Sequence, residues 1–233
     1  MVFENEFIIA KEAMCEVGRR LYSKGFSAAN DGNVTLRVGE NRFLCTPTMH
    51  SKGYLKPTDI VLIDIDGNVV SGTKNRSSEA LLHLEAYRRR PDVSAIVHCH
   101  PPHATAYAIT HTALPRWVLA EVEIFLGSIP IAPYKAPGTQ EFAETIRPYL
   151  ADSNAIILAN HGTLTLGKDL EQAFWWTEVL DAYCRILILA GQLGPVQTFI
   201  PSQQVELAAL REKWGFGTPA STGSNSNLPC DKT

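Results

Sequence analysis

Three of the seven histidines lie within the stretch VHCHPPH, residues 97–103. His98 and His100 alternate with Cys99 at the end of an apolar run, and side chains two residues apart on a strand point to the same face. A second apolar run, AIILAN, is followed directly by His161. Because a catalytic zinc site needs about three protein ligands and accepts imidazole nitrogens, this spacing indicates a metal site. The alternative is a chance HxH pair and an ordinary polar histidine at position 161.

Three polar clusters have the composition of an anion-binding site. The stretch SSE, Ser77 to Glu79, precedes an apolar periodic segment, and a helix N-terminus beside two hydroxyls suits a phosphate or a carboxylate. Plain helix capping is the alternative there. Residues 30–33 (NDGN) and 45–53 (CTPTMHSKG) are turn segments that add small polar side chains. Within them Lys52 is either a counter-charge for an anionic ligand or a solvated surface lysine.

The other four histidines have weaker placements for metal binding. His103 follows two prolines and is expected to leave the face of the strand. His50, His83 and His111 are expected at the surface or behind the ligands. We therefore assign none of them to the metal.

Apolar spacing predicts the elements that position these residues. Near the N-terminus, apolar residues recur every three or four positions until Gly25, which predicts an amphipathic helix. Alternating segments separated by turns predict two hairpins, over residues 34–47 and 61–72. A helix starting at Ser77 and a long helix capped by Asp169 follow. Hairpins mixed with helices predict an α/β domain with a largely antiparallel sheet.

The composition is that of a globular chain. The 233 residues are 45% apolar and 19% charged, and the net charge of −3 is spread along the chain, so no basic stripe indicates nucleic acid. No apolar run is long enough to span a bilayer. The acidic start MVFENEF lacks the form of a signal peptide, and five scattered cysteines without a CxxC motif indicate reduced thiols. We expect a cytoplasmic protein with neither nucleic acid nor membrane as a partner.

The domain organisation is predicted from the change of composition near the C-terminus. We place one folded domain over residues 1–215. Residues 216–233 are rich in Gly, Ser, Thr and Pro and are predicted to form a disordered tail.

The order of the motifs resembles that of the class II aldolase/epimerase family. DGNVTLR, TPT, SSE, HCH, IPIAPY with PGT, and NHG occur in this order over about residues 8–190. The resemblance extends to the branch of fuculose-phosphate aldolases. It implies a three-layer α/β/α sandwich around a mainly antiparallel sheet. It also implies a homotetramer with active sites at the subunit boundaries.

The functional residues of that family carry over to matching positions. The resemblance implies that His98, His100 and His161 bind zinc, with manganese or cobalt as alternatives because histidine suits several ions. It implies that Glu79 is the acid/base and can also ligate the metal. The residues implied to hold the phosphate of the substrate are Asn33, Thr48, Ser77 and Ser78.

Some positions depart from the aldolase pattern. Met49 stands where that pattern has a glycine whose amide meets the phosphate, so Ser51 or Lys52 is a candidate substitute contact. Leu119 stands where the aldolases have a tyrosine that reaches a neighbouring subunit. Glu123 lies close to the position of the aspartate base of the epimerases and is a further candidate. The alternative is that Glu121 and Glu123 line one face of a strand.

We therefore expect a metal-dependent aldolase. It would cleave a short ketose 1-phosphate to dihydroxyacetone phosphate and an aldehyde through a metal-stabilised enediolate. Two alternatives stay open. One is a sugar-phosphate 4-epimerase or a 3-keto acid phosphate decarboxylase of the same family. The other is a non-catalytic scaffold like the adducin head, which the presence of all three histidines disfavours.

Overall fold

The computed structural model describes residues 7–216 and contains one eight-stranded sheet with helices on both faces. The strands are β1 (Asn33–Gly39), β2 (Arg42–Cys45), β3 (Val61–Ile63), β4 (Val69–Ser71), β5 (Ala95–Cys99), β6 (Ile131–Ala132), β7 (Ala155–Leu158) and β8 (Gly162–Gly167). The helices are α1 (Ile8–Ser23), α2 (Ala80–Arg89), α3 (Pro102–Thr110), α4 (Ala120–Phe125), α5 (Gln140–Glu144), α6 (Leu170–Leu193) and α7 (Pro201–Lys213). Short 3₁₀ helices are Lys52–Tyr54, Pro57–Asp59 and Arg147–Tyr149.

The sheet has the order β4-β3-β2-β1-β5-β8-β7-β6, and its neighbours are antiparallel except for β6 with β7. Both hairpins predicted from turn residues are present, as β1–β2 and β3–β4. Strands distant in sequence also pair, because β5 lies between β1 and β8. This pairing brings the end of β5 beside the start of β1, with Asn33 opposite His98.

Helices cover both faces of the sheet, and the alternation of side chains along each strand decides which layer each residue joins. In β5, Ile96 packs in the apolar cluster that contains α2 and α5. Its neighbour Val97 packs on the other face, in the cluster that contains α1 and the start of α6. The predicted three-layer sandwich with a mainly antiparallel sheet is confirmed.

Helix α1 follows the predicted amphipathic pattern and supports a loop that matters for the site. Met14, Val17 and Leu21 are buried against the sheet. A Cβ atom at Gly18 would lie 2.5 Å from the carbonyl oxygen of Lys52. The missing side chain at Gly18 therefore allows the loop after β2 to pack directly on this helix.

The start of one helix and the type of another element differ from the prediction. Helix α2 begins at Ala80, so Glu79 occupies the N-cap position rather than the first turn. The segment AEVEIF forms helix α4 and not a strand. The first helical turn is closed by the Glu123 backbone N–H, which donates to the Leu119 carbonyl at 3.2 Å, and the Glu123 carboxylate accepts from the Trp117 N–H just before the helix.

The C-terminal tail predicted over residues 216–233 lies outside the described residues except for its first member. The ring of Phe216 packs edge-on against Phe125 and Trp176. The one-domain division of the chain stays a prediction.

Helix α6 is the longest helix and packs on the central strands through residues such as Phe174 and Leu180. Its predicted cap is present, because an Asp169 carboxylate oxygen accepts a hydrogen bond of 2.7 Å from the Gln172 backbone N–H. The Gln172 side chain accepts in turn from the Lys168 N–H at 2.9 Å. None of the helices in residues 7–216 is both long and apolar enough to cross a membrane.

We expect Asp169→Ala to lower the free energy of unfolding by about 1 kcal/mol, the usual cost of losing an N-cap acceptor. Asp169→Asn keeps a side-chain oxygen at the same place and should cost clearly less. Urea unfolding of the three proteins measures both values. Equal losses in the two variants would contradict a capping role for this carboxylate.

Candidate metal centre

Three imidazoles meet at one end of the central strands. His98 is in β5, His100 lies just beyond the end of that strand, and His161 lies in the turn between β7 and β8. The Nε2 atom of His98 is 3.3 Å from Nε2 of His100 and 3.1 Å from Nε2 of His161. Their potential ligand atoms all lie within 4.8 Å of one another. Tertiary pairing of β5 with β8 therefore assembles the three histidines that the motif spacing singled out.

Hydrogen bonds on the far side of two rings orient these imidazoles. The Nδ1–H of His98 donates to the Thr163 carbonyl oxygen at 2.8 Å, because a carbonyl can only accept. His100 directs Nδ1 toward a carboxylate oxygen of Asp31 at 3.3 Å. A proton on Nδ1 leaves the Nε2 lone pair free for a metal. Both rings are thus held in the form that a metal site requires.

The spacing of the nitrogens fits a tetrahedral ion. Bonds of about 2.0–2.1 Å between zinc and nitrogen place two ligands of a tetrahedron about 3.3–3.4 Å apart. The Nε2 atoms of His98 and His100 are 3.3 Å apart. Lone pairs that face each other at this distance repel, so either a cation or a shared proton must balance them. The residues therefore fit a divalent metal.

Glu79 adds a carboxylate to the same cluster. One oxygen lies 2.9 Å from Nε2 of His161, and the other lies 3.3 Å from Nε2 of His98. The second oxygen also accepts a hydrogen bond of 2.7 Å from the side-chain amide of Asn33. Burial raises the pKa of Glu79, but the charges and hydrogen bonds of His98 and His161 outweigh it and hold that pKa well below its usual range. Glu79 is therefore an anion here.

The histidines differ in how readily they take a proton. Burial lowers the pKa of His98, but Glu79, the Thr163 carbonyl and Asp31 together raise it by more, and the net shift is upward. Burial together with the charges on His98 and His161 lowers the pKa of His100 to about 4. Crowded imidazoles cannot all be protonated together. At neutral pH the cluster therefore offers at least one neutral nitrogen to a metal.

Two of the predicted phosphate residues, Asn33 and Ser77, contact Glu79 directly. The Thr48 backbone N–H donates to the Asn75 carbonyl at 3.1 Å, and the Ser77 N–H donates to the Thr46 carbonyl at 3.1 Å. These bonds place the loop after β2 against the segment that leads into α2. Ser77 is buried and accepts a hydrogen bond of 3.3 Å from the Glu79 N–H, whereas Ser78 is exposed. Hydroxyl groups are thus available next to Glu79.

Met49 has a backbone conformation that suits a glycine. Its φ angle is 57°, in the left-handed region that glycine enters freely and that costs other residues roughly 1–2 kcal/mol. The side chain is 76% exposed, so it does not fill the site. The loop can therefore still present its backbone amides as a glycine-containing loop does.

Lys52 is buried, which corrects the interpretation of it as a solvated surface lysine. Its ammonium group donates to the carbonyl oxygens of Asn30 at 2.8 Å and His50 at 2.6 Å. Burial lowers its pKa to about 8, against an opposing influence of the Asp31 charge. The physical reason for its burial is the close packing of its loop on α1. Lys52 thus ties together the two loops that surround the site.

Glu123 is engaged elsewhere. Its carboxylate accepts from the Arg116 guanidinium at 2.7 and 2.9 Å and from the Trp117 N–H. Among the described residues it makes no hydrogen bond or ion pair with His98 or Glu79. The structure thus brings Glu79, and not Glu123, to the histidines.

His103 and His83 lie outside the group of three clustered histidines. His103 leaves the strand face as predicted, and its Nδ1 atom lies 2.8 Å from an Asp181 oxygen. His83 is fully buried behind Glu79.

Sequence reasoning did not identify Asp31 or the Thr163 carbonyl as partners of the ligands. Asp31 lies within the NDGN motif, which was a usable signal, whereas a backbone carbonyl carries no sequence signal.

Comparisons of this chain with a family model, with curated relatives and with solved structures all indicate the same family. The family model described as "Class II Aldolase and Adducin N-terminal domain" matches residues 12–188. A 3-oxo-tetronate 4-phosphate decarboxylase of Haemophilus influenzae is 33% identical over 187 residues, covering 78% of this chain and 89% of the relative. An L-fuculose phosphate aldolase of Methanocaldococcus jannaschii is 35% identical over 179 residues, covering 77% and 96%. A solved L-fuculose 1-phosphate aldolase superposes with a TM-score of 0.81 at 29% identity, covering 88% of this chain and 96% of that one.

We expect His98→Ala and His161→Ala each to abolish stoichiometric metal binding. A catalytic zinc site needs about three protein ligands, and each variant leaves only two imidazoles. His103→Ala is the matched control and should retain the metal, since its ring pairs with Asp181. Elemental analysis after dialysis against zinc measures the content. Full zinc retention in both ligand variants would refute this site.

We expect the stability of the wild type, relative to that of Lys52→Met, to rise as the pH rises from about 8 to 10.5. In this window the unfolded chain carries a proton on Lys52 that the folded protein lacks, so rising pH favours the folded state by on the order of 1–3 kcal/mol. Urea unfolding at several pH values measures the gap, with the exposed Lys56→Met as the control. A gap that stays constant across this window would show that folding does not lower the pKa of Lys52.

Proposed function

The chain belongs to the class II aldolase and adducin N-terminal domain family, and we propose that it is a metal-dependent aldolase acting on a short sugar phosphate. The resemblance seen in the order of the motifs is thereby confirmed. The proposed reaction cleaves a ketose 1-phosphate to dihydroxyacetone phosphate and an aldehyde. The observation that carries the proposal is the position of the Glu79 carboxylate. Asn33 donates to one of its oxygens, and the other lies 2.9 Å from Nε2 of His161, one of three clustered histidines.

His98, His100 and His161 are the proposed metal ligands, and zinc is the ion that their tetrahedral spacing favours. A divalent cation held there supplies a Lewis acid for the negative charge that develops on the oxygens of the substrate. The three imidazoles bring no charge of their own when neutral, so the ion keeps most of its positive charge. That charge is what an oxyanion needs during bond cleavage.

Hydroxyl groups and amides beside the cluster are the proposed seat of the substrate phosphate. The residues are Asn33, Thr48, Ser77 and Ser78, with Lys52 as a buried cation beneath the loops. The hydrogen bonds between the two loop segments support this assignment, since they hold the hydroxyls next to Glu79. A fixed phosphate places the reacting carbon in register, which accounts for much of the rate gain of an oriented reaction.

Glu79 is the proposed acid/base. In the substrate-free protein its oxygens lie against His98 and His161. Oxygens of a bound substrate would compete for that place and leave the carboxylate free to move a proton at the substrate carbon. Asn33 keeps hold of one oxygen, so the other is the atom available for proton transfer.

A second candidate is the decarboxylation of a 3-keto acid phosphate, which the 33% identical decarboxylase favours. Loss of carbon dioxide from 3-oxo-tetronate 4-phosphate leaves dihydroxyacetone phosphate, the same three-carbon fragment that the aldol cleavage leaves. Both reactions then need a proton on the same carbon. The two candidates therefore share the proposed roles of the histidines and Glu79 and differ in the group that departs.

We also infer a homotetramer with active sites at subunit boundaries. Exposed apolar side chains on the outer face of α6 support an interface between copies, among them Ile186, Leu189 and Leu193. Trp175 on the same helix is half exposed as well.

We expect Glu79→Gln to retain fold and metal but to lower turnover by about 10²-fold or more, because the amide cannot accept the proton. The measurement is proton NMR of dihydroxyacetone phosphate in D₂O with the zinc-loaded protein. The wild type should exchange one carbinol hydrogen at C3. Glu121→Gln, at an exposed position on α4, is the control and should exchange at the wild-type rate.

Two further assays separate the candidates. Release of an aldehyde from fuculose 1-phosphate supports the aldolase, whereas release of carbon dioxide from 3-oxo-tetronate 4-phosphate supports the decarboxylase. Exchange by Glu79→Gln at the wild-type rate would assign proton transfer to another group. A metal-loaded wild type that neither exchanges nor cleaves would overturn both candidates.

A further inference from the structure

Strand β1 and helix α2 are joined by two polar contacts of similar form. Asn33 donates to Glu79 at 2.7 Å, and two residues further along the strand Thr35 is hydrogen bonded to Nδ1 of His83 at 2.8 Å. Residues two apart share one face of a strand, and residues four apart share one face of a helix. The second contact therefore lies directly behind the one that holds the proposed acid/base.

The hydrogen-bond chain behind His83 fixes which ring nitrogen carries its proton. The Ser94 carbonyl can only accept, so the Tyr87 hydroxyl donates to it at 3.3 Å. The Thr35 hydroxyl then donates to the Tyr87 oxygen at 2.9 Å, and the Nδ1–H of His83 donates to Thr35. Every member of this chain gives one proton in one direction. The ring of His83 is thus held in a single orientation.

The other nitrogen of His83 makes no hydrogen bond with the described residues, although the side chain is completely buried. Burial, followed by the charge on His98, lowers the pKa of His83 to about 3, so the ring is neutral at physiological pH. A buried unpartnered polar atom costs stability. A leucine would fill similar space without that cost but would lose the bond to Thr35, so this bond is what an imidazole adds at this position.

We propose that His83 is a positioning residue for Glu79, acting through its Nδ1 hydrogen bond to Thr35. The bond fixes the first turn of α2 against β1 at the point where Glu79 must stay in place after a substrate displaces it from the histidines. Side chains on a helix lean toward its N-terminus, so the ring of His83 is directed toward the turn that carries Glu79. The inference rests on the proposed role of Glu79 as acid/base.

The test compares variants that keep or remove the Nδ1 position. His83→Asn retains an amide nitrogen where Nδ1 lies, whereas His83→Gln carries its amide further out, and His83→Leu removes both nitrogens. Using the assay in which the wild type turns over, we expect His83→Leu and His83→Gln to lower kcat about 10- to 100-fold, as displaced catalytic groups do. KM should stay within about twofold, because the phosphate contacts are untouched. His83→Asn should restore kcat to within about threefold of the wild type.

Stability and a partner variant separate positioning from a structural role. His83→Leu should retain metal and melt close to the wild type, since relief of the unpartnered nitrogen offsets the loss of the bond to Thr35. Thr35→Val should reproduce its loss of kcat, and the double variant should lose no more. The neighbouring core variant Leu84→Ala is the control and should lower the melting temperature while the folded protein keeps its kcat. If His83→Leu fails to fold, Thr35→Val gives the same comparison.

A structural readout keeps this inference separate from the proposed function. In a crystal structure of His83→Leu or Thr35→Val, the Glu79 carboxylate should move beyond hydrogen-bond reach of Asn33, a limit of about 3.5 Å. Failure of the wild type in every turnover assay would overturn the proposed function, and this distance would still decide the positioning. An unmoved Glu79, a defective His83→Asn or a fully active His83→Leu would overturn the inference.

Discussion

The arrangement of the site depends on one constraint: the Glu79 carboxylate and three imidazoles share a small, largely buried space. His98 and Glu79 lie 3.3 Å apart with the other two imidazoles around them. Such a group is stable only if a proton or a cation balances the carboxylate and separates the lone pairs. The Nδ1 atoms of His98 and His100 face the Thr163 carbonyl and Asp31, and the Asn33 amide donates to Glu79. These contacts turn the Nε2 nitrogens toward one another, as the ligands of a single cation would be.

The sheet supplies the rigidity that this crowding requires. Asn33 pairs with His98 across β1 and β5, so one strand pair carries both a metal-type ligand and the amide that holds Glu79. Side chains on regular elements are placed more accurately than those on loops. The loops contribute the groups that must meet a variable substrate. Lys52 fastens two of those loops through the carbonyl oxygens of Asn30 and His50, at the cost of burying a cation.

The same geometry explains why two reactions are close candidates. Aldol cleavage and decarboxylation both leave negative charge beside a carbonyl, and both need a proton moved at one carbon. In the proposed roles, the Glu79 carboxylate and the histidines would serve that shared step, and only the departing group would differ.

Local patterns in the sequence were sufficient for the hairpins, the capped helix α6 and the shared face of His98 and His100, because these depend on periods of two and 3.6 residues and on turn chemistry. The order of the motifs identified the family. Tertiary structure alone decided that Lys52 is buried, that AEVEIF is helical and that His83 bonds to Thr35. The first and the third depend on contacts between segments distant in sequence, and the end of helix α4 is held by Arg211, which donates to the Glu123 and Ile124 carbonyl oxygens. Burial and hydrogen-bond partners are properties of such contacts, and no local pattern encodes them.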